Sequence, residues 1–213
     1  MARAAHVSVS TYGVIAALAG VEHGVGAMLQ GNVRPDGLVI QSWPDAPAYA
    51  VLGGEPAMTV VPNMLLSGVL TVVVSVALAV WSVRYVGTDR GGPVLIGLSV
   101  LLLLVGGGFG PPILGLVLGL AATRLDGGWP WFEEHVSGGI RRALAVGWRF
   151  LLVVGVACWL ALWPGLVLVN RRWTVDDPVL VGGLVALAFA AFFASLAAGF
   201  AADSVRRPSG RPP

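Results

Sequence analysis

The sequence predicts an all-α membrane protein: a polytopic transmembrane helical bundle of four full spans plus a Gly/Pro-broken helical hairpin built from two short or re-entrant helices. Three observations lead there. The 213 residues are 56% hydrophobic and only 11% charged, too few polar side chains to cover a soluble globule of that size. The apolar residues gather into blocks of about 20, the length a helix needs to cross roughly 30 Å of hydrocarbon at about 1.5 Å per residue. One block is cut at its centre by Gly106, Gly107, Gly108, Phe109, Gly110, Pro111 and Pro112. Interior glycines cost about 1 kcal/mol each and a proline about 3 kcal/mol, so a continuous helix does not pass through that stretch.

The first span reads from Val7 to Gln30 and carries Glu22 and His23 side by side. A charge near the bilayer centre costs roughly 2.5–3.5 kcal/mol on insertion scales, so such residues face protein or water. The face around His23 is otherwise small, with Ala16, Ala19 and Ala27, and it ends at Gln30. Gly20 and Gly24 give a GxxxG spacing on the adjoining strip, which lets another helix approach closely. Arg3 and the triplet Ala17, Leu18, Ala19 loosely imitate a signal peptide, but the apolar run continues past the cleavage position, so a retained span is expected.

Gly31 to Pro56 reads as a loop, marked by Arg34, Pro35, Asp36, Gly37, Pro44, Asp45, Gly53 and Gly54. Its apolar patches and Trp43 place it against the headgroups. The second span, Met58 to Tyr85, carries Asn63, Ser67, Thr71 and Ser75 at a spacing of four, with Ser82 seven further on. That spacing draws one slowly turning polar stripe, expected to face Glu22 and His23. The third segment, Pro93 to Leu120, is the broken one.

Arginine placement decides how the break is threaded. All thirteen cationic side chains are arginine. If the third segment goes in and returns, ten of them lie on one side, and only Arg34, Arg171 and Arg172 lie on the other. The positive-inside rule then puts both termini in the cytoplasm.

Asp126 to Trp148 combines Trp129, Trp131 and Phe132 with Glu133, Glu134, His135, Arg141 and Arg142, and reads as an interfacial segment. Three consecutive acid or imidazole positions share no helical face, and no HExxH spacing is present, so no metal is assigned there. The fourth span is read as Phe150 to Val169. The fifth block, Val179 to Ala202, places bulky Phe189, Phe193 and Phe200 outward and alanine inward. A single bundle domain therefore covers 1–202, with a polar, frayed cytoplasmic tail at 203–213.

A net charge of +2 gives no reason to expect nucleic acid. The partner expected is the lipid bilayer, with a homo-oligomer or a membrane partner because the chain is short for a complete carrier. Cys158 is the lone cysteine and lies inside an apolar block, which excludes a disulfide framework and a thiolate metal cluster. No nucleotide loop, zinc signature or nucleophile elbow occurs, and no cofactor is implied.

The run Glu22, His23, Gly24, the loop Ser42, Trp43, Pro44, Asp45, the segment Gly54, Glu55, Pro56, Ala57, Met58 and the glycine-proline turn resemble a group of small uncharacterised bacterial multi-pass membrane proteins. The resemblance covers mainly the first 125 residues and implies no activity.

The functional expectation rests on intramembrane polarity. Glu22 and His23, with Gln30, Glu55 and Asn63 on the same membrane face and Ser67, Thr71 and Ser75 on the stripe, form the candidate site. Such a pair can carry a proton, bind a cation or lock helices together. The leading expectation is proton- or cation-coupled passage of a small solute. The alternatives are a non-catalytic accessory or scaffold subunit, or a lipid-modifying enzyme using Glu22, His23 and Glu55 as acid-base groups.

Overall fold

A computed structural model of the chain describes residues 3–173 and 177–206. Helix α1, Ala4–Leu29, is long enough to span with residues to spare. It has no side-chain cap of its own. The Asp203 carboxylate accepts from the Ala4 and Ala5 amides at 2.8 and 3.0 Å instead, and Arg3 pairs with Asp126 at 2.6 Å. The two ends of the described chain thus lie at the same end of the bundle.

After α1 the chain forms a small antiparallel hairpin, β1 Val39–Gln41 and β2 Pro56–Met58, around a 3-10 turn at Pro47–Leu52. Helix α2 is Met64–Arg84; it starts later than the apolar block because Asn63 takes the N-cap position and accepts from the Leu66 amide at 2.9 Å. Helix α2 lies along α1 at backbone distance. A Cβ added to Gly68 would sit 2.4 Å from the Gly24 carbonyl oxygen, so the GxxxG strip of α1 is used for this contact.

The broken segment is a helical hairpin. α3, Gly91–Leu104, and α4, Gly110–Ala122, have 14 and 13 residues, or about 21 and 20 Å, each too short to cross alone. They run antiparallel: Gly92 abuts the Gly119 carbonyl and Thr123, and Gly115 abuts Ser99. Between them Gly106 and Gly108 take φ of +110° and +76°, open to glycine without strain. Pro111 and Pro112 fall in the first turn of α4, where their missing amides leave nothing unpaired.

Beyond the short helix α5, Pro130–His135, the expected division at Phe150 does not occur. Helix α6, Gly138–Leu160, passes through a π-helical stretch, Ala161–Gly165, into α7, Leu166–Arg172. Arg141, Arg142 and Trp148 therefore belong to the long helix, and of the segment expected at the interface only α5 forms a separate helix. The widened turn contains Pro164, which cannot donate to the Leu160 carbonyl. Helix α8, Pro178–Arg206, continues past Asp203, which is fixed on α1 rather than frayed; Arg207 to Pro213 lie outside the described residues, as does Asp176. Phe193 faces outward, but Phe200 is buried with its ring 5.7 Å from that of Trp129, and Phe189 packs on Trp159 with ring centres 5.2 Å apart, so bulk on this helix is spent on packing and not only on lipid.

Among the described residues, four helical stretches are long and apolar enough to span a membrane. The outer faces of α2 and α6 expose Val73, Val76, Val83, Phe150 and Val153, which suits lipid contact and identifies an all-α integral membrane protein.

Candidate functional site

The site is built where three elements close on the last third of α1. Glu22 and His23 are both buried. The first element is the turn between α3 and α4: a Cβ on Gly108 would lie 2.3 Å from His23 Nε2. The second is α2, packed against Gly24. The third is the loop that sequence reasoning placed on the headgroups. It folds back onto α1, with the Ser42 carbonyl and the Trp43 indole meeting Gly26 so closely that a Cβ there would fall 2.4 and 2.7 Å from them.

The loop delivers Glu55. Its ladder continues past the hairpin through Ser42 N to Glu55 O at 3.0 Å and Trp43 N to Gly54 O at 2.9 Å. Gly53, Gly54 and Glu55 then hold φ of +64°, +72° and +58° in succession. For a glutamate that left-handed conformation costs about 1–3 kcal/mol and persists only where surroundings enforce it. Here it aims the side chain inward, and Glu55 Oε2 lies 3.0 Å from His23 Nε2.

His23 is thus held between two acids. Its Nδ1 lies 3.0 Å from Glu22 Oε2 and also 3.0 Å from the Ala19 carbonyl, the better-directed acceptor. Both Glu22 oxygens are buried without a directed hydrogen bond. Beside them the Tyr49 ring stacks on Trp43, centres 4.7 Å apart and 2° from parallel. Burial, with Glu22 and Glu55 adding to it, pushes the Tyr49 phenol above its ordinary value, so it stays neutral.

A cavity of about 230 Å³ opens from this cluster. His23 and Glu55 form its polar end. Its body is apolar and aromatic, from Phe109, Trp159, Trp163 and Phe189, with Leu52 as part of the roof.

The other expected site residues divide by role. Gln30 gives its amide to the Gln41 and Ser42 carbonyls, both at 3.0 Å, and so anchors the loop. Asn63 caps α2 and bonds Asn32. The stripe on α2 is buried against α1 and the break rather than bonded to Glu22 or His23. Ser67 and Thr71 donate to the Val105 carbonyl at 2.5 and 2.7 Å, and Ser75 packs against Gly20. A helix broken inside a membrane frees carbonyls that must find donors, and two hydroxyls meet that need here. Glu133 lies at the opposite end, near Phe200 and Asp203. Sequence reasoning missed Tyr49 and the two tryptophans of the cavity wall as site residues; the aromatic pair Trp43 and Tyr49, six residues apart in the loop, was the available signal.

No family model matches the chain, and no curated protein or solved structure matches it either.

Proposed function

We propose that this integral membrane protein couples a cation, held at Glu22, His23 and Glu55, to the passage of a small solute through the adjoining cavity. The observation that carries the reading is a charge imbalance. Two carboxyl groups face one imidazole, and among the described residues no arginine lines the cavity, so with both carboxyls ionised even a protonated His23 leaves one negative charge over. A buried cluster of that kind takes up either a proton or a cation, and a cation completes it without neutralising a carboxyl. His23 and Glu55 stand on the cavity wall, and a solute there and a cation on the cluster therefore compete for or share the same groups.

The aromatic walls suit a compact organic cation, which binds the faces of tryptophan and phenylalanine. The membrane is taken as a bacterial inner membrane with both termini cytoplasmic, the orientation that the arginine distribution favours. The test is uptake of radiolabelled tetraethylammonium into proteoliposomes under imposed sodium, magnesium or zinc gradients. Glu22→Gln or Glu55→Gln should lower the initial rate at least roughly tenfold, the scale of about 1.4 kcal/mol of lost interaction, without lowering the melting temperature. Unchanged uptake combined with a lower melting temperature would identify a structural lock between helices and overturn the proposal.

A further inference from the structure

We infer that Glu22, His23 and Glu55 bind one divalent first-row transition-metal ion, with an open coordination position facing the apolar cavity. The inference rests on the cation reading above and specifies the cation.

Three observations carry it. One donor atom from each residue lies within 4.8 Å of the other two, and this is the one such grouping of His, Cys, Asp and Glu among the described residues. Metal–nitrogen and metal–oxygen bonds of about 2.0–2.2 Å separate tetrahedral ligand atoms by roughly 3.3–3.5 Å. To admit an ion, the 3.0 Å between Nε2 and Glu55 Oε2 must widen by about 0.3–0.5 Å, and the longest separation in the group, within 4.8 Å, must narrow by at most about 1.3–1.5 Å. Glu22 is more than nine-tenths buried, with neither oxygen in a directed hydrogen bond. A buried acceptor in that condition draws a cation or a donor, and the nearest donor, His23 Nδ1 at 3.0 Å, is shared with the Ala19 carbonyl.

The tautomer fits as well. Nδ1 faces the Ala19 carbonyl at 3.0 Å, so a ring that keeps its proton on Nδ1 would leave the Nε2 lone pair for a metal ion on the Glu55 side. A hydrogen bond from the distal ring nitrogen to a carbonyl is how metal-bound imidazoles are oriented. Charge selects the ion. A neutral imidazole and two carboxylates carry two negative charges, which a divalent ion neutralises and a monovalent ion does not. Mixed imidazole and carboxylate donors suit zinc, cobalt, manganese or ferrous ions over calcium, which takes oxygen ligands in larger number. Three protein ligands leave a fourth position, and because His23 and Glu55 line the cavity, a solute atom or water would occupy it from that side.

The experiment uses the full chain in nanodiscs, stripped with a chelator and titrated with cobalt(II) while visible d–d absorption is followed, then with zinc, with bound metal counted by mass spectrometry. One ion per chain is expected, with ligand-field bands that zinc abolishes. His23→Gln and Glu55→Gln should each weaken binding by more than the about 10–100-fold that loss of a supporting group costs, and Glu134→Gln should leave it unchanged. A wild-type chain that takes up no stoichiometric cobalt or zinc overturns the inference without reference to any variant. If tetraethylammonium uptake depends on Glu22 and Glu55 in such metal-free protein, the passage reading stands alone. If the metal binds but uptake ignores it, the site stands and the passage reading falls.

Discussion

Helix α1 presents two faces that solve the problem of polarity in a membrane in opposite ways. Toward α2 it offers Gly13, Gly20 and Gly24, which meet Ser82, Ser75 and Gly68 at distances that leave no room for a Cβ. Toward the cavity and the loop it offers Glu22 and His23. Ser75 and Ser82 also lack a partner, but a hydroxyl in a helix can turn to the carbonyl four residues back at little cost. An ionised carboxylate is an acceptor only and has no such local option. The seam therefore reads as packing, and the other face as a place prepared for a guest.

The largest effect expected on this contrast comes from one added methyl on each face. Gly68→Ala places a Cβ 2.4 Å from the Gly24 carbonyl oxygen and 2.7 Å from the Met28 amide nitrogen, backbone atoms that cannot step aside. Overpacking of this kind costs about 1–3 kcal/mol, read as a lower midpoint in detergent thermal unfolding. Gly110→Ala, on the cavity wall, meets no atom within 4 Å and should change stability by no more than about 0.5 kcal/mol. Equal losses from the two would mean that the faces are packed alike, and the contrast would be gone.

A smaller effect is expected where the stripe meets the break. Ser67 and Thr71 both donate to one carbonyl, that of Val105. Either hydroxyl alone keeps it paired, so Ser67→Ala or Thr71→Val should cost about 0.5–1 kcal/mol each, and the double variant about 1–3 kcal/mol once the carbonyl is orphaned. The sign of the coupling is the informative part: the double variant loses more than the sum of the singles. A double-mutant cycle that came out additive would show the carbonyl to be satisfied elsewhere.

That stripe also shows which physics a sequence displays. Periodicity announced the polar face of α2, and glycine and proline at 106–112 announced the break, because both are local properties of the chain. The break then consumed the stripe: the donors expected for Glu22 and His23 went to the carbonyls that the interrupted helix exposes, a long-range consequence that no local pattern encodes. Glu22 and His23 were legible because ionisable groups inside a span are costly wherever the chain leads. Glu55 was legible only as a neighbour on the same membrane face. Its placement depends on three successive positive φ angles and on the loop turning back over Gly26. The long helix was read too short at its N-terminal side, from Phe150 instead of Gly138, because Arg141, Arg142 and Trp148 signal an interface, whereas Pro164 was read through and a π-helical turn absorbs it.

The smallest effect should separate the loop from the helices it covers. Gln30 fixes the loop through its amide, 3.0 Å from both the Gln41 and the Ser42 carbonyl oxygens, and it does so at the rim of the bundle where the first of these bonds is exposed. Gln30→Ala should therefore cost the bundle under about 1 kcal/mol, since solvent replaces much of what is lost. The loop itself should respond more. Its remaining ties include the Asn170 amide to the Pro47 and Ala48 carbonyls at 3.0 and 3.1 Å and the ladder at Ser42 and Trp43, and opening it withdraws Glu55 from His23. Hydrogen exchange at 42–55 should accelerate severalfold in Gln30→Ala while amides of α2 keep their protection, because local opening is governed by the few bonds that hold the segment. Acceleration spread equally over α1 and α2 would instead make the loop an integral layer of the bundle, and the face carrying Glu22 and His23 would then be as closed as the glycine seam behind it.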